Sequence, residues 1–445
     1  MSRLCWTIFP LFLFGAAVAG GLAWNFAAAK APNAPKGPDL ARLEASRGEW
    51  SRWRGPNGDG ICLETGLLTE WPEEGPPLAW QAQGFGRGMS SVAIKSGGIF
   101  TMGQIDGKTC IVGARVRNGE IAWATPIGDG DAPNCTPTVD GDLVFGLSHR
   151  GDLACVRMRD GQIVWSKNFG RDFGGKMMSG WGYSESPLVD GDRVIVTPGG
   201  KNALLVALDR KTGRKIWESA TPDKLGRKGI DGAGYASVVI SHAAGVKQYV
   251  TLVGRGIVSV DAVTGKFLWS YNDVANGTAN IPTPIVSGDY VFCSSGYGDG
   301  GSALLKIVKE GNELRAEEVY YYQANEMQNH HGGMILVGDH IYMGHGHNNG
   351  FPLCVEFKTG KEAWRVGRGP GSGSAAIVYA DGHLYFRYQN GVMALIEATP
   401  TGYNLKGQFK IATKNGESWP HPVIAGGKLY LRDQDVLNCY DVKKK

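Results

Sequence analysis

Residues 207–217 read ALDRKTGRKIW, and residues 260–269 read VDAVTGKFLW. In each, an apolar run ends in Asp, a Thr-Gly pair makes a turn, and a second short run closes on Trp. Glycine accepts the left-handed backbone that a tight turn needs, and an Asp side chain can bond back to the amides of its own turn. The phrase is therefore strand, turn, strand. It recurs as NGEIAW ending at Trp123, DGQIVW at Trp165 and TGKEAW at Trp364, and LAWQAQ places Trp80 upstream of them. The intervals are 43, 42, 52 and 52 residues as far as Trp269, then 95 to Trp364. The long interval holds two units, with Tyr320 standing where a Trp falls due. Trp80, Trp123, Trp165, Trp217, Trp269 and Trp364 thus set a structural register, and such repetition means a fold of stacked, similar units.

Each unit opens with a second hairpin. The clearest are TPTVDGDLVFGL (136–147), SPLVDGDRVIVT (186–197), TPIVSGDYVFCS (283–294), MILVGDHIYMGH (334–345), AIVYADGHLYFR (376–387) and HPVIAGGKLYLR (421–432). Short runs rich in Val, Ile, Leu, Tyr and Phe around a Gly turn are antiparallel strands. Two looser openings lie at 91–102 and 237–252, and a degenerate closing strand ends near Phe409. The last unit stops three strands in, at DVLNCYDV, and LAWQAQ can supply the fourth. The expectation is an all-β chain: an eight-bladed β-propeller of four-stranded antiparallel blades, closed by an N-terminal strand. Closure leaves no open sheet edge on the ring. A count of seven is the nearest alternative.

Three regions follow. Residues 1–19 read as a signal peptide, with Arg3, an apolar run and Ala17-Val18-Ala19 as a cleavage site; an uncleaved anchor reaching to about residue 29 is the other reading. Residues 30–77 form a Pro- and Gly-rich extended arm, with WSRWRGPNGDG (50–60) expected to anchor it on the main body; a functional loop is the other reading of that segment. Residues 78–445 make the propeller. Export places the protein in the periplasm or cell envelope, with membrane contact only through the N-terminal segment if it stays uncleaved, and a monomer is expected. The net charge is +4, and the only basic run is Lys443–Lys445, so nucleic acid is excluded as a partner. The eight Cys form no C-x-x-C pair and no haem-attachment motif. Several sit in strand runs where Cys packs as a small hydrophobe. Disulfides between the others stay open.

The phrases at 207–217, 260–269 and 355–364 resemble the tryptophan-docking repeat of PQQ-like β-propellers. In that superfamily the resemblance points to two groups. Quinoprotein alcohol dehydrogenases oxidise alcohols or sugars with pyrroloquinoline quinone (PQQ) and calcium. The outer-membrane barrel-assembly lipoprotein binds partners without catalysis. The enzymes usually carry a disulfide of adjacent Cys over the quinone, and some carry a covalent haem; neither motif is present here. The resemblance therefore implies a non-catalytic platform for an envelope protein or a small-molecule ligand. The alternative is a PQQ- and calcium-dependent quinoprotein-like oxidoreductase.

In such a ring, the segments entering the innermost strands and the loops between second and third strands gather around one channel mouth. The polar residues at those positions are Arg87, His149, Glu185, Lys201, Tyr235, Arg255, Asp299, Arg387, Glu417, His421, Arg432 and Asp433, with Asp106, Arg150 and Gln389 beside them. They are the candidate binding set. QNHHGG (328–333) and GHGHNNG (344–350) bring His330, His331, His345 and His347 into one hairpin. Clustered imidazoles can hold zinc or copper or serve in acid–base chemistry, while a Gly-rich loop with His bonded to water and backbone is the plainer reading. No catalytic residue is identifiable, and no nucleophile elbow, H-E-x-x-H or phosphate loop occurs.

Overall fold

The computed structural model describes residues 48–413 and 416–445. The expected signal segment lies outside these. Eight sheets succeed one another along the chain, four-stranded but for one that gains a fifth strand from the arm. Numbered in chain order from Ala93–Lys95, the first strands of successive blades lie side by side, so they line the channel. Blade 8 is Val423–Ala425, Lys428–Asp433 and Val436–Asp441, completed by Leu78–Ala82 from the other end of the chain. Gln81 donates to Asn438 Oδ1 across that join at 2.7 Å. Eight blades and their closure by an N-terminal strand match the sequence expectation. Among the described residues the one α-helix, Phe169–Phe173, is short, and no helix is long and apolar enough to cross a membrane.

The turn chemistry works as read. Asp209 Oδ1 accepts from the amides of Lys211 and Thr212 and from Thr212 Oγ1, and Asp261 does the same with Val263 and Thr264. Most of these Gly turns then receive a ring from the preceding blade. A Cβ added to Gly161 would stand 2.5 Å from Trp123, and one added to Gly213 would stand 2.7 Å from Trp165. Trp123 Nε1 donates to Met158 O, Trp165 Nε1 to Arg210 O and Trp364 Nε1 to Thr399 O. Tyr320 takes the same place, its hydroxyl on Phe357 O at 3.0 Å. Trp269 departs from the pattern and bonds Gln248 Oε1 within its own blade.

A β-bulge interrupts the outermost strand of every blade, directly before the ring in seven of the eight. Register slips at Ala79, Ala122, Val164, Ile216, Leu268, Val319, Ala363 and Lys406. An extra residue re-aims the side chain that follows it. This is why apolar residues beside the ring, such as Val164, Ile216 and Val319, end up exposed.

The arm does more than lie on the ring. Trp50 bridges Ile94 in blade 1, Ser51 O accepts from Val139 in blade 2, and Arg54 Nη2 donates to Met334 O in blade 6 at 2.6 Å. Ile61–Cys62 then pairs in parallel with Tyr379 and Ala380 of blade 7. The arm therefore crosses the channel. Its Trp53 reaches the axis and donates to Thr283 Oγ1 of the segment entering blade 5.

Arg432 seals the ring between blades 8 and 1. It is buried, and its guanidinium donates to Gln434 O, Thr101 Oγ1, Met102 O, Phe85 O and Gly86 O. Five bonds use all five donors of the group. The described cysteines, Cys62, Cys110, Cys135, Cys155, Cys293, Cys354 and Cys439, are all buried free thiols.

Candidate functional site

Trp53 divides the channel into two chambers. On the far side a chamber of about 530 Å3 is lined by Arg52, Arg54, Asp59 and His242 among others. On the mouth side, where chain enters the innermost strands, a cavity of about 290 Å3 is lined by Trp53, Trp181, Trp419, Tyr235 and Tyr297, with His330, His331 and His421 between them. Neutral Asn134, Ser184, Asn348 and Gln389 complete its polar edge, and the lining holds no Asp, Glu, Lys or Arg.

The rings form a continuous belt. Trp53 meets His421 edge-on at 4.4 Å between centroids. His421 Nε2 lies 3.4 Å from His331 O. His331 meets Trp419 at 4.8 Å and stacks on His330 at 4.1 Å, and His330 meets Tyr297 at 4.8 Å. Across the mouth, Tyr235 Oη bonds Ser179 Oγ at 2.6 Å and receives the Trp181 amide, fixing the loop that carries Trp181. Buried Asn280 holds the next loop by donating to Val253 O and Gly254 O.

Burial controls the charge of the belt. Desolvation, reinforced by neighbouring imidazoles, pushes His330 down to about 3 and His331 to about 4. His421 falls to about 3 through burial and then the nearby Arg54 guanidinium. All three are neutral at ordinary pH. The proton on His330 can be placed. Ser374 Oγ gives its single hydrogen to Asn348 Oδ1 at 3.0 Å, so toward His330 Nδ1, 2.6 Å away, it accepts. Nδ1 therefore carries the hydrogen and Nε2 is a bare acceptor.

Three atoms of lining residues are buried without a partner in the protein: His330 Nε2, Gln389 Oε1 and Trp419 Nε1. A buried donor or acceptor left unmade costs about 1–3 kcal/mol, so native structures keep few. All three are closed off from solvent as well as from the protein, so each is a local cost to the fold.

The sequence-derived candidates divide. Tyr235, His421, His330 and His331 line the cavity, as does Gln389. His347 packs on Tyr297 at 4.9 Å and on His330 at 4.5 Å. His345 lies apart from the other three; its Nδ1 accepts from the Gln328 amide and its Nε2 meets Arg365. Among the described residues no group of three or more His, Cys, Asp or Glu is placed to hold a metal ion. Arg387 is buried and spends its Nη atoms on Pro420 O and Arg432 O, with Asp433, also buried, lending it negative charge. Glu185 turns away from the cavity that its neighbours Ser184 and Ser186 line, as alternation along an extended segment requires. It accepts from the Thr197 amide, and burial pushes it up to about 8. Arg255 pairs with Asp231 at 2.7 Å, and His149 lies 3.7 Å from Asp131. Lys201 borders a separate surface groove. The Asp299 carbonyl accepts from Lys228, and Arg87 and Glu417 are exposed. Trp181, Trp419 and Tyr297 are not among the sequence-derived candidates, and Trp53 enters from the arm segment whose other reading was a functional loop.

Calcium takes about six to eight oxygen ligands, carboxylates prominent among them, and the carboxylates of PQQ call for cations. A lining without Asp, Glu, Lys or Arg does not fit that pair.

Comparison with known proteins agrees with this architecture. The sequence model of the family described as "Outer membrane protein assembly factor BamB" matches residues 77–172 and 108–366. BamB of Shewanella oneidensis is 32% identical over 92 residues, 19% of this chain and 22% of that protein, so the match spans about a fifth of the relative's length. The crystal structure of BamB from Moraxella catarrhalis superposes with a TM-score of 0.58 at 15% identity, covering 82% of this chain and 99% of that one. Quinohemoprotein alcohol dehydrogenase from Comamonas testosteroni superposes with a TM-score of 0.63 at 12% identity, covering 92% and 83%. At such identities the likeness is one of fold.

Proposed function

The chain belongs to the family of the outer membrane protein assembly factor BamB, and from that premise we propose that it is a non-catalytic binding platform of the cell envelope whose working surface is the channel mouth. The observation that carries this reading is the cavity of about 290 Å3 walled by aromatic rings, with a neutral polar edge that includes Asn134, Ser184, Asn348 and Gln389. Concave, mostly apolar sites with a few placed polar groups are what binding requires. The blades hold those groups rigidly, because each mouth loop is tied to strands on both sides. The occupant is an envelope protein presenting a small group, or a small molecule. The apolar N-terminal run and the relatives' assignment to outer membrane assembly support export to the envelope.

Trp181 gives the test, because it is 58% exposed at the rim and can be changed without disturbing the core. Capture from an envelope extract is expected to retain a specific component with wild-type protein and to lose it with Trp181→Glu. If nothing specific is retained, or if Trp181→Glu retains it equally, the platform reading fails.

A further inference from the structure

The walls of the mouth cavity differ in kind from the rest of the interior. The blades are packed largely with Val, Ile and Leu, whereas the apolar lining of the cavity is Trp53, Trp181, Trp419, Tyr235 and Tyr297 with one Ile, one Ala and one Met. All of these rings except Tyr235 are half-buried or exposed, so their surfaces are open to an occupant. They converge from different sides. Trp181 and Tyr235 lie on the segments entering blades 3 and 4, Tyr297 on a loop of blade 5, Trp419 on the segment entering blade 8 opposite, and Trp53 on the arm.

An aromatic face carries partial negative charge, and a cation held against several such faces gains by it, most with Trp and more where water is excluded. An aliphatic wall offers nothing of the kind. The surrounding charge does not oppose a cation. Arg54 and Arg387 lie near His421 behind the floor, and each stands beside a carboxylate, Asp59 for Arg54 and Asp433 for Arg387. The lining holds no Lys or Arg, and its imidazoles are neutral. The same lining decides the kind of cation. A metal ion calls for several ligand atoms, and a primary ammonium or a guanidinium brings several N–H donors that need acceptors. The cavity offers no carboxylate to receive them. A fully methylated ammonium presents only C–H groups, so aromatic walls can replace its weak hydration. The cavity, about 290 Å3, is at the small end for a ligand site and admits one such group rather than a polymer.

We propose that the mouth cavity binds a quaternary methylammonium group, as a free solute such as choline or as the headgroup of a lipid, held among the rings of Trp53, Trp181, Trp419, Tyr235 and Tyr297. This rests on the reading of the mouth as a binding surface and names the ligand class for it.

The experiment is calorimetry and tryptophan fluorescence on the purified full chain with methylammonium, tetramethylammonium, choline and the neutral tert-butyl analogue of choline, beside glucose and PQQ with calcium. Choline is expected to bind saturably, to quench fluorescence, and to bind at least roughly tenfold tighter than its neutral analogue. Affinity is expected to rise from methylammonium to tetramethylammonium. Tyr297→Leu and Trp419→Leu keep the wall apolar but remove its aromatic face. Each is expected to weaken choline by roughly fivefold and to leave the neutral analogue nearly unchanged. Lys309→Ala, exposed on the blade 5 hairpin, is expected to change neither. Circular dichroism of each variant separates lost binding from lost fold. Vesicles tell the source: binding to phosphatidylcholine but not phosphatidylglycerol marks a lipid headgroup, binding of free choline alone marks a solute, and both uphold the assignment. Equal affinity for choline and its neutral analogue overturns it. So does a preference for methylammonium, glucose or PQQ, or choline binding that ignores both mouth variants. If no compound binds, the ammonium assignment fails. The platform reading then stands or falls separately on capture by the Trp181→Glu variant, which removes the rim ring a macromolecule would rest on.

Discussion

Arg432 and His330 are both buried polar side chains on loops or strand ends at the channel, and they are finished differently. Arg432 sits in the seam between blades 8 and 1 with every donor used. His330 has one nitrogen on Ser374 and the other on nothing, and its neighbours Gln389 and Trp419 share that state. The contrast separates two states that residue type alone does not. A saturated group holds structure, because removing it strands its partners; an unsaturated group closed off from solvent holds nothing through that atom and costs stability where it stands.

Variants can break this comparison. Arg432→Met should have the largest effect. It leaves buried acceptors of the first and last blades unpaired, and a loss of at least about 3 kcal/mol is expected in urea unfolding. A loss below about 1 kcal/mol would mean the seam does not depend on it.

Glu185→Gln comes next and carries a pH signature. The folded carboxyl is raised from 4.5 to about 8, so the native state binds more protons than the unfolded chain between those values. Stability therefore falls as pH rises through that window. The variant's advantage over wild type should grow by about 1 kcal/mol per pH unit from 4.5 upward. An advantage independent of pH would show that the carboxyl is not held protonated.

His421→Asn should do the reverse. The folded imidazole is depressed from 6.5 to about 3, so the unfolded chain binds the extra proton and stability falls on acidification below 6.5. Wild-type unfolding midpoints should drop on going from neutral to mildly acidic buffer, and the variant should flatten that slope by about 1 kcal/mol per pH unit. An unchanged slope would place the imidazole in water. Trp419→Phe is the smallest and sharpens the contrast: with no partner to lose, its indole N–H should cost less than about 0.5 kcal/mol of stability.

The fold was legible because its signal is periodic. Tryptophans at Trp80, Trp123, Trp165, Trp217, Trp269 and Trp364 repeat with the blades, and the missing last strand matched a spare first one. The bulge before each ring was not legible, since one looped-out residue leaves no mark on a short apolar run. The site was legible in part: His330 and His331 from their density, and Tyr235, Gln389 and His421 from their places in the repeat. Its aromatic walls come from four mouth loops and the arm, which meet only after the ring forms. One signal was available. Trp53, Trp181 and Trp419 fall outside the blade register, and a large ring with no repeat role asks for another explanation. Of the charged candidates, strand alternation turns Glu185 away from the opening, while Arg387 and Arg432 satisfy backbone carbonyls.

The join of Leu78–Ala82 to Val436–Asp441 has a consequence for biogenesis. Its partners are as far apart as Gln81 and Asn438, 357 positions along the chain. A nascent polypeptide cannot complete the circle until the codons of its eighth blade are read, and contacts of such long range are slow to form. Until then the earlier blades expose flanks that the finished ring conceals, so the unfinished molecule is the form that most needs a chaperone's protection.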